Sequence, residues 1–415
     1  MVYQYIYAPA MKKSTERFLL VTLALVQFTH VMDFMIMMPL SNLFMEDFKI
    51  SAAQFGIMVA SYNVSAGIVS FLGAFFIDRF DRRKVLLLSY TFFVLGTFAC
   101  GIAPGYGFMV AARIFTGLFG GILSSSILST VSDTFPLERR ASAMGAIYSG
   151  FSAAAVLGVP VGSIVAAHFS WHIPFAFIGA FGVLVLIAIA VYVPSLAGHI
   201  EEAKKRNPWV TIKEIVSSVN RLKALGVMAL LMIGHFSIIP YIPNYMVGNV
   251  GLDKTDIGYI YMAGGLCSVV VMRVVGKLAD RQGSLRVFTW LSVLAVFPII
   301  AITNLPPMSL IPVLMITSFL FIFGGSRGIP AQTLISSTAL PHQRGGFLSL
   351  NAATQQLGSG LASFLGGLLI AEGPGGSVLH YEHVGWMAVV AGLLAIPLAM
   401  SVKSAEATQV ATAKS

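Results

Sequence analysis

Asp78-Arg79-Phe80-Asp81-Arg82-Arg83-Lys84 ends one long apolar run and opens the next. A second charged turn, Asp280-Arg281-Gln282-Gly283-Ser284-Leu285-Arg286, does the same 202 residues later. Pro136-Leu137-Glu138-Arg139 and Pro341-His342-Gln343-Arg344 repeat at nearly the same offset, 205 residues. In a chain of 415 residues both offsets approach half the length, the mark of one ancestral half duplicated and fused.

The composition says where such a chain can live. Hydrophobic residues make up 57% of it and charged residues 10%, against roughly 25% charged in an ordinary soluble domain. A soluble fold of this length cannot hide that much apolar surface. Forty glycines in this background fit helices packed closely in a membrane. Cys100 and Cys267 both fall inside apolar runs, so they offer no disulfide framework and no metal-ligand spacing. The first apolar run is too long for a signal h-region and lacks a small-residue cleavage site, which reads as a retained spanning helix.

A spanning helix needs about 20 mostly apolar residues. Twelve runs qualify: 17–44, 52–77, 84–103, 106–133, 141–168, 172–193, 222–248, 255–280, 284–303, 308–336, 344–371 and 382–402. The fold class expected is therefore an all-α integral membrane protein. Its twelve transmembrane helices form two pseudo-symmetric six-helix halves, 1–193 and 222–415, with a short polar tail on the second. With a cytoplasmic N-terminus, 21 of the 26 lysines and arginines fall in cytoplasmic loops and tails. Only Lys49 and Lys254 fall outside, and Arg113, Arg273 and Arg327 lie within helices. Both termini are thus cytoplasmic. The net charge of +9 follows from topology and implies no nucleic acid.

Residues 194–221 form the longest connection and join the halves as a cytoplasmic linker. Asn207-Pro208 reads as a helix cap and first-turn proline. Val210, Ile212, Ile215, Val216 and Val219 then make a one-sided apolar face beside Lys204, Lys205, Arg206 and Lys213, the pattern of an interfacial amphipathic helix.

Over its whole length the chain resembles the major facilitator superfamily. The family's loop between helices 2 and 3 reads Gly-x-x-x-Asp-Arg-x-Gly-Arg-Arg/Lys. Here Ala74 and Asp81 replace the two glycines, whereas the second copy keeps Gly276 and Gly283. Arg113-x-x-x-Gly117-x-x-x-Gly121 looks like the basic helix-4 motif of proton-coupled members. Gly158-x-Pro160-x-Gly162 resembles a degenerate form of the helix-5 motif of the twelve-helix drug:proton antiporters, with Val159 separating a glycine and proline that usually adjoin.

Asp33 stands out among the 17 acidic residues as the one near the middle of an expected helix. A carboxylate there costs at least ~2.5–3.5 kcal/mol on insertion scales and needs a cavity, a partner or a proton. His30, one turn earlier, is placed to share a proton or hydrogen bond. The resemblance puts helices 1 and 4 on the same cavity, making Arg113 the countercharge and Asp33, Arg113 and His30 the proton-coupling group. A permanent structural pair is the competing reading. Gln27, Tyr62, Asn63, His235, Tyr241, Asn244, Tyr245, Arg327, Asn351 and Gln355 are substrate-cavity candidates, with interhelical hydrogen bonding the alternative for each. Arg327 has no obvious carboxylate partner, leaving it an anion contact or a carbonyl clamp.

In the resembled family the first turn's aspartate, here Asp78, faces the N-terminal end of helix 11, which here begins near Arg344. A helix N-terminus favours an anion. Arg82 with Arg83 then reaches Asp133, and Arg79, Asp280 and Arg281 complete the two gating turns. Such contacts latch the halves in the outward-open state and break when the inside opens.

No catalytic triad, phosphate loop or nucleotide signature appears, so neither an enzyme nor an ATP-driven pump is expected. The resemblance implies secondary active transport by alternating access. The expectation is proton-coupled efflux of small amphipathic or drug-like compounds, with no cofactor and the proton gradient as energy source. A proton-coupled or facilitative carrier of one metabolite (a sugar, amino acid or lysolipid) stays open, as does a non-transporting receptor. The expected partners are a small-molecule substrate, protons and membrane lipid. The expected setting is a monomer crossing the plasma membrane, the inner membrane of a bacterium.

Overall fold

Inside a bilayer no water satisfies backbone N–H and C=O groups, so long apolar runs fold as helices that close their own hydrogen bonds. The computed structural model describes residues 13–135, 137–197, 200, 208–339 and 344–405, and within them sheet is limited to one two-stranded hairpin. The long helices are α1 (Lys13–Ile36), α2 (Ala52–Phe76), α3 (Arg82–Gly101), α4 (Tyr106–Thr134) and α5 (Leu137–Ala153 continued by Val159–His168). Then come α6 (His172–Tyr192), α7 (Val219–Phe236), α8 (Asp256–Gln282), α9 (Ser284–Leu294 continued by Val296–Ile302) and α10 (Leu310–Phe319 continued by Gly328–Ser336). The last two are α11 (Arg344–Leu369) and α12 (Tyr381–Met400).

Eleven of these elements are long and apolar enough to cross a membrane. The remaining one, α11, spans 26 residues, and Asn351, Gln355 and Gln356 dilute its apolar character. It compensates by burying itself along α2 and α7.

Local chemistry sets several boundaries. Ser51 and Gln54 form a reciprocal capping box at the start of α2, and the Asp81 carboxylate accepts the Arg83 N–H at 2.8 Å to cap α3. In α5, Pro160 has no N–H to donate back to the preceding turn, and the π-helical turn Ala154–Gly158 absorbs the mismatch. Pro240 and Pro243 likewise break α7 into short turns that continue to Val250.

The cores show how the halves are joined. One large cluster spans both, from Val31, Ile36, Phe44 and Phe55 to Tyr241, Ile260, Ile299 and Tyr381. It lies at the outer end of the bundle. Toward the cytoplasm the core divides: Leu19, Leu86, Leu123 and Val185 belong to the first half alone, and Met228, Phe288, Ile335 and Ala395 to the second alone. The buried apolar core is thus continuous between the halves at the outer end and divided between them toward the cytoplasm.

Two pairs of helices form the seam, α2 along α11 and α5 along α8. Close approach there requires glycine: a Cβ on Gly367 would fall 2.7 Å from Ala52 O, and one on Gly265 would fall 2.9 Å from Ala155 O. The outer seal adds polar fastenings. Asn42 Nδ2 donates to Pro243 O at 2.9 Å, and Lys254 Nζ pairs with Glu46 at 2.5 Å.

The linker helix occupies Pro208–Val216. Its Ile215 is fully buried in the cytoplasmic core of the second half, while Val216 is exposed and Val219 opens α7 instead of closing the linker face. At Ile215 the apolar face meets protein, against α7 and α11. Lys204, Lys205, Arg206 and Asn207, and the Val210 side chain, lie outside the described residues.

Candidate functional site

Asp33 and Arg113 meet where the shared outer core gives way to the first half's own core. Met32 and Met109 lie on the outer side of that boundary, Val26 and Leu123 on the inner. Arg113 Nη1 donates to Asp33 Oδ2 at 2.7 Å, and Thr97 Oγ1 from α3 donates to Asp33 Oδ1 at 2.9 Å. The guanidinium also lies over the Tyr62 ring, 4.3 Å from its centroid. Tyr62 Oη in turn shares a hydrogen bond with His30 Nε2 at 3.0 Å. Asp33 and Tyr62 are fully buried and Arg113 is 1% exposed.

So α1, α2, α3 and α4 each supply one layer of a closed cluster. Carboxylate and guanidinium cancel in charge, and the ring face offers the cation a second, weaker partner. The cluster is enclosed within the first half, so of a cavity, a partner or a proton it is a partner that the structure gives Asp33. Small residues allow this packing: a Cβ on Gly117 would strike Tyr62 O, and one on Gly120 would strike the Tyr62 hydroxyl. The route outward is aromatic. Phe34, next to Asp33, stacks on Tyr62 at 5.6 Å and reaches Phe236 of the second half at 5.9 Å.

The second half carries the counterpart at the same core boundary. Arg327 of α10 is 1% exposed, and its Nε donates to Gly324 O at 3.1 Å. Among the described residues no carboxylate pairs with it, and its Nη2 has no hydrogen-bond partner. Two glycines make room for the guanidinium: a Cβ on Gly234 of α7 would lie 3.2 Å from Nη2, and one on Gly392 of α12 2.9 Å from Nη1. His235 is half-buried beside Gly324. Of the two readings left open for Arg327, the geometry here is the carbonyl clamp.

The other cavity candidates separate by depth. Tyr241, Asn244 and Tyr245 sit in the outer seal, with Tyr241 Oη donating to Ser363 O, Asn244 Nδ2 meeting Met45 Sδ at 2.8 Å and Tyr245 Oη donating to Leu305 O at 3.1 Å. In this conformation the outer core closes over them. Asn63 is fully buried, with Nδ2 bonded to Val59 O at 3.3 Å. Gln27 and Gln355 are half-buried, and Asn351 is 1% exposed. Asn351 and Gln355 both donate to Gln332 Oε1, at 3.0 and 3.3 Å. Sequence reasoning missed Thr97 and Gln332. A threonine or glutamine in a helix looks ordinary until its partner is known.

Gly158, Pro160 and Gly162 press α5 onto its neighbours. A Cβ on Gly158 would lie 2.9 Å from Met32 Sδ, and one on Gly162 2.8 Å from Ile36 Cδ1. The motif thus fixes how α5 rests on α1, directly above the Asp33 cluster.

At the cytoplasmic turns, Arg82 Nε pairs with Asp133 Oδ2 at 2.8 Å. Arg83 does not join it. Its guanidinium donates instead to the carbonyl of Ala190 at the end of α6, because the helix turn from Arg82 to Arg83 points the two side chains about 100° apart. Asp81 receives hydrogen bonds from Ser195 Oγ and from Leu196 N, holding the start of the linker against α3. Burial alone would raise the Asp81 carboxyl, but those donors, the Arg83 N–H and nearby Lys84 hold it below the ordinary carboxylate value. Arg79, Asp280 and Arg281 are exposed. The side chains of Asp78 and Arg344 lie outside the described residues.

Comparison with known proteins bears on the fold and the family. The sequence profile of the Major Facilitator Superfamily matches residues 23–329 and 225–414. An uncharacterized MFS-type transporter of Bacillus subtilis, YceJ, is 23% identical over 339 residues, covering 81% of this chain and 85% of that protein. Multidrug resistance protein 2 of the same organism is 23% identical over 343 residues, covering 80% and 84%. Among solved structures, a bacterial homolog of the human lysosomal transporter Spinster, inward-facing and unoccupied, superposes with a TM-score of 0.76 at 14% identity, covering 94% of this chain and 98% of that one. The nucleoside transporter NupG gives 0.74 at 12% identity, covering 92% and 99%.

Proposed function

The chain belongs to the major facilitator superfamily, and from that premise we propose that this transporter exports small amphipathic or drug-like compounds in exchange for protons. The observation that carries the reading is the Asp33–Arg113 pair, a titratable ion pair buried against the aromatic path that joins the halves.

The chemistry runs from the pair outward. With Asp33 ionised, Arg113 holds α4 to α1, and Thr97 adds α3 to the same carboxylate. A proton on Asp33 removes the charge that Arg113 pairs. The guanidinium then keeps the Tyr62 ring and the weaker bond to Asp33 O at 3.4 Å. Tyr62 and Phe34 move with it, and through Phe236 they bias how the halves meet. Protonation thereby favours one of the two access states over the other. The half-buried surfaces of Phe28, Phe34, Met35, Met232 and Phe236 suit an apolar, variable substrate, since methionine and aromatic side chains adapt to many shapes. The relative described as a multidrug resistance protein supports the same substrate class. We place the protein as a monomer in the plasma membrane of a bacterium, needing no nucleotide or other cofactor.

The test is dye or drug flux in proteoliposomes under an imposed pH gradient, wild type against Asp33→Asn. Wild-type flux should follow the gradient, and the variant should exchange substrate without responding to it. Flux of one metabolite that ignores both the gradient and the substitution would instead make this a facilitative carrier.

A further inference from the structure

A cluster of metal-ligating side chains lies far from the Asp33 pair, at the outer end of α12. His380, Glu382 and His383 each offer one ligand atom, and these atoms all lie within 4.8 Å of one another. His380 Nδ1 is 3.7 Å from Glu382 Oε1, and the two imidazole rings lie parallel, 5.2 Å apart and 5° from coplanar orientation. Donors bound to one ion at ~2.0–2.2 Å sit roughly 3–4 Å from each other, so small side-chain rotations close the set.

The backbone is built to hold this arrangement. His380 adopts the left-handed conformation, φ 66° and ψ 18°, one of two non-glycine residues with positive φ among the described residues. Such strain is retained where surrounding contacts over-determine it. They do so here. Tyr381, between the ligands, is fully buried and donates from Oη to Ile238 O at 2.9 Å. His383 N returns a hydrogen bond to His380 O at 3.1 Å. Tyr381 therefore anchors the turn inward, and the flanking donors face solvent.

We infer that His380, Glu382 and His383 form a surface site for a divalent transition-metal ion on the outer face of the second half. Two imidazoles and one carboxylate suit zinc, nickel or copper, and leave coordination positions for water. Magnesium and calcium prefer all-oxygen shells and are excluded by the donor set. All three ligands belong to one half, so the ion does not bridge the seam.

Isothermal titration of the full-length, tag-free protein in detergent with Ni²⁺, Cu²⁺, Mn²⁺ and Mg²⁺ tests the site. The expected result is one ion per chain, with affinity rising from Mn²⁺ through Ni²⁺ to Cu²⁺ and no response to Mg²⁺. Bound Cu²⁺ should show electron-spin hyperfine coupling to two imidazole nitrogens. His380→Ala and His383→Ala should each weaken Ni²⁺ at least ~10-fold, and Glu382→Gln should weaken it less. These residues are exposed or half-buried, so elution as a single sharp peak checks that each variant is folded. Absence of Ni²⁺ binding in the wild type, or undiminished binding when both histidines are replaced, would overturn the inference.

Discussion

Each half buries one arginine where the shared outer core gives way to its own core, and the two halves accommodate it differently. In the first half Arg113 meets Asp33 at 2.7 Å, so the enclosed cluster is neutral. In the second half Arg327 rests on a backbone carbonyl in a cradle of glycines, with Nη2 unbonded. Among the described residues, only the first of these two arginines has a carboxylate partner. The asymmetry confines the buried arginine–carboxylate pair to α1 and α4. It leaves α7 and α10 with a fixed charge that protonation of a carboxylate cannot relieve.

The largest expected effect tests that contrast directly. Arg113→Met strands a buried carboxylate and should lower stability by ~3–5 kcal/mol, whereas Asp33→Asn together with Arg113→Met should recover most of it. Arg327→Met removes an unsatisfied buried donor, a cost of ~1–3 kcal/mol, at the loss of one carbonyl hydrogen bond. It should be neutral or stabilising. Thermal unfolding of the purified variants in detergent gives the order. If Arg327→Met were as damaging as Arg113→Met, the second arginine would have a partner that the contrast denies it.

This asymmetry was half legible in the sequence. A lone aspartate and three arginines inside apolar runs announce themselves, because their insertion cost is large for any helix arrangement. The repeat offsets and the basic residues likewise give two halves and their orientation before any coordinates. The fine partners do not show. Thr97 reads as one of many helix threonines, Gln332 as one of many amides, and Gly234 and Gly392 as packing glycines. Tyr241, Asn244 and Tyr245 read as interior residues, because polarity signals an interior position but not a depth. Arg82 and Arg83 look equivalent, yet one turns to Asp133 and the other to Ala190. Side-chain direction on a helix separates neighbours that a motif groups together.

The next effect is conformational rather than energetic and compares the two ends of the seam. Gly367→Leu would push α11 off Ala52 of α2 and off Tyr241 at the end of α7, so it should open the outer seal while leaving the divided cytoplasmic cores intact. A cysteine placed by Asn42→Cys, in a chain freed of Cys100 and Cys267, reports the change. Labelling by an impermeant maleimide from outside should speed up. Unchanged labelling would mean that the seal does not depend on this crossing.

A smaller effect lies at the cytoplasmic end of the first half, where Asp81 both caps α3 and holds the start of the linker. Asp81→Ala should cost about 1 kcal/mol, the usual loss for a removed cap. Because the folded carboxyl titrates below its ordinary value, the wild-type contribution is complete at neutral pH. It is lost as pH falls through the folded value. Melting temperatures of wild type and variant should therefore converge in acid. A difference that persists there would assign the loss to packing.

The smallest effect belongs to the most visible cross-half contact, the pair of Lys254 with Glu46. Its side chains are 37% and 63% exposed, so water and salt screen it. Exposed pairs contribute ~0.2–1 kcal/mol, much of it offset by ordering two long side chains. The apolar cluster beneath, with Phe44, Phe55, Tyr241 and Tyr381 fully buried, supplies far more. Lys254→Ala should therefore leave the outer labelling rate of a cysteine at position 42 within about twofold of its parent, at low and high salt alike. A large, salt-sensitive acceleration would make the outer gate electrostatic, and the contrast between a neutral buried cluster in the first half and a buried arginine without a carboxylate in the second would then extend to the surface.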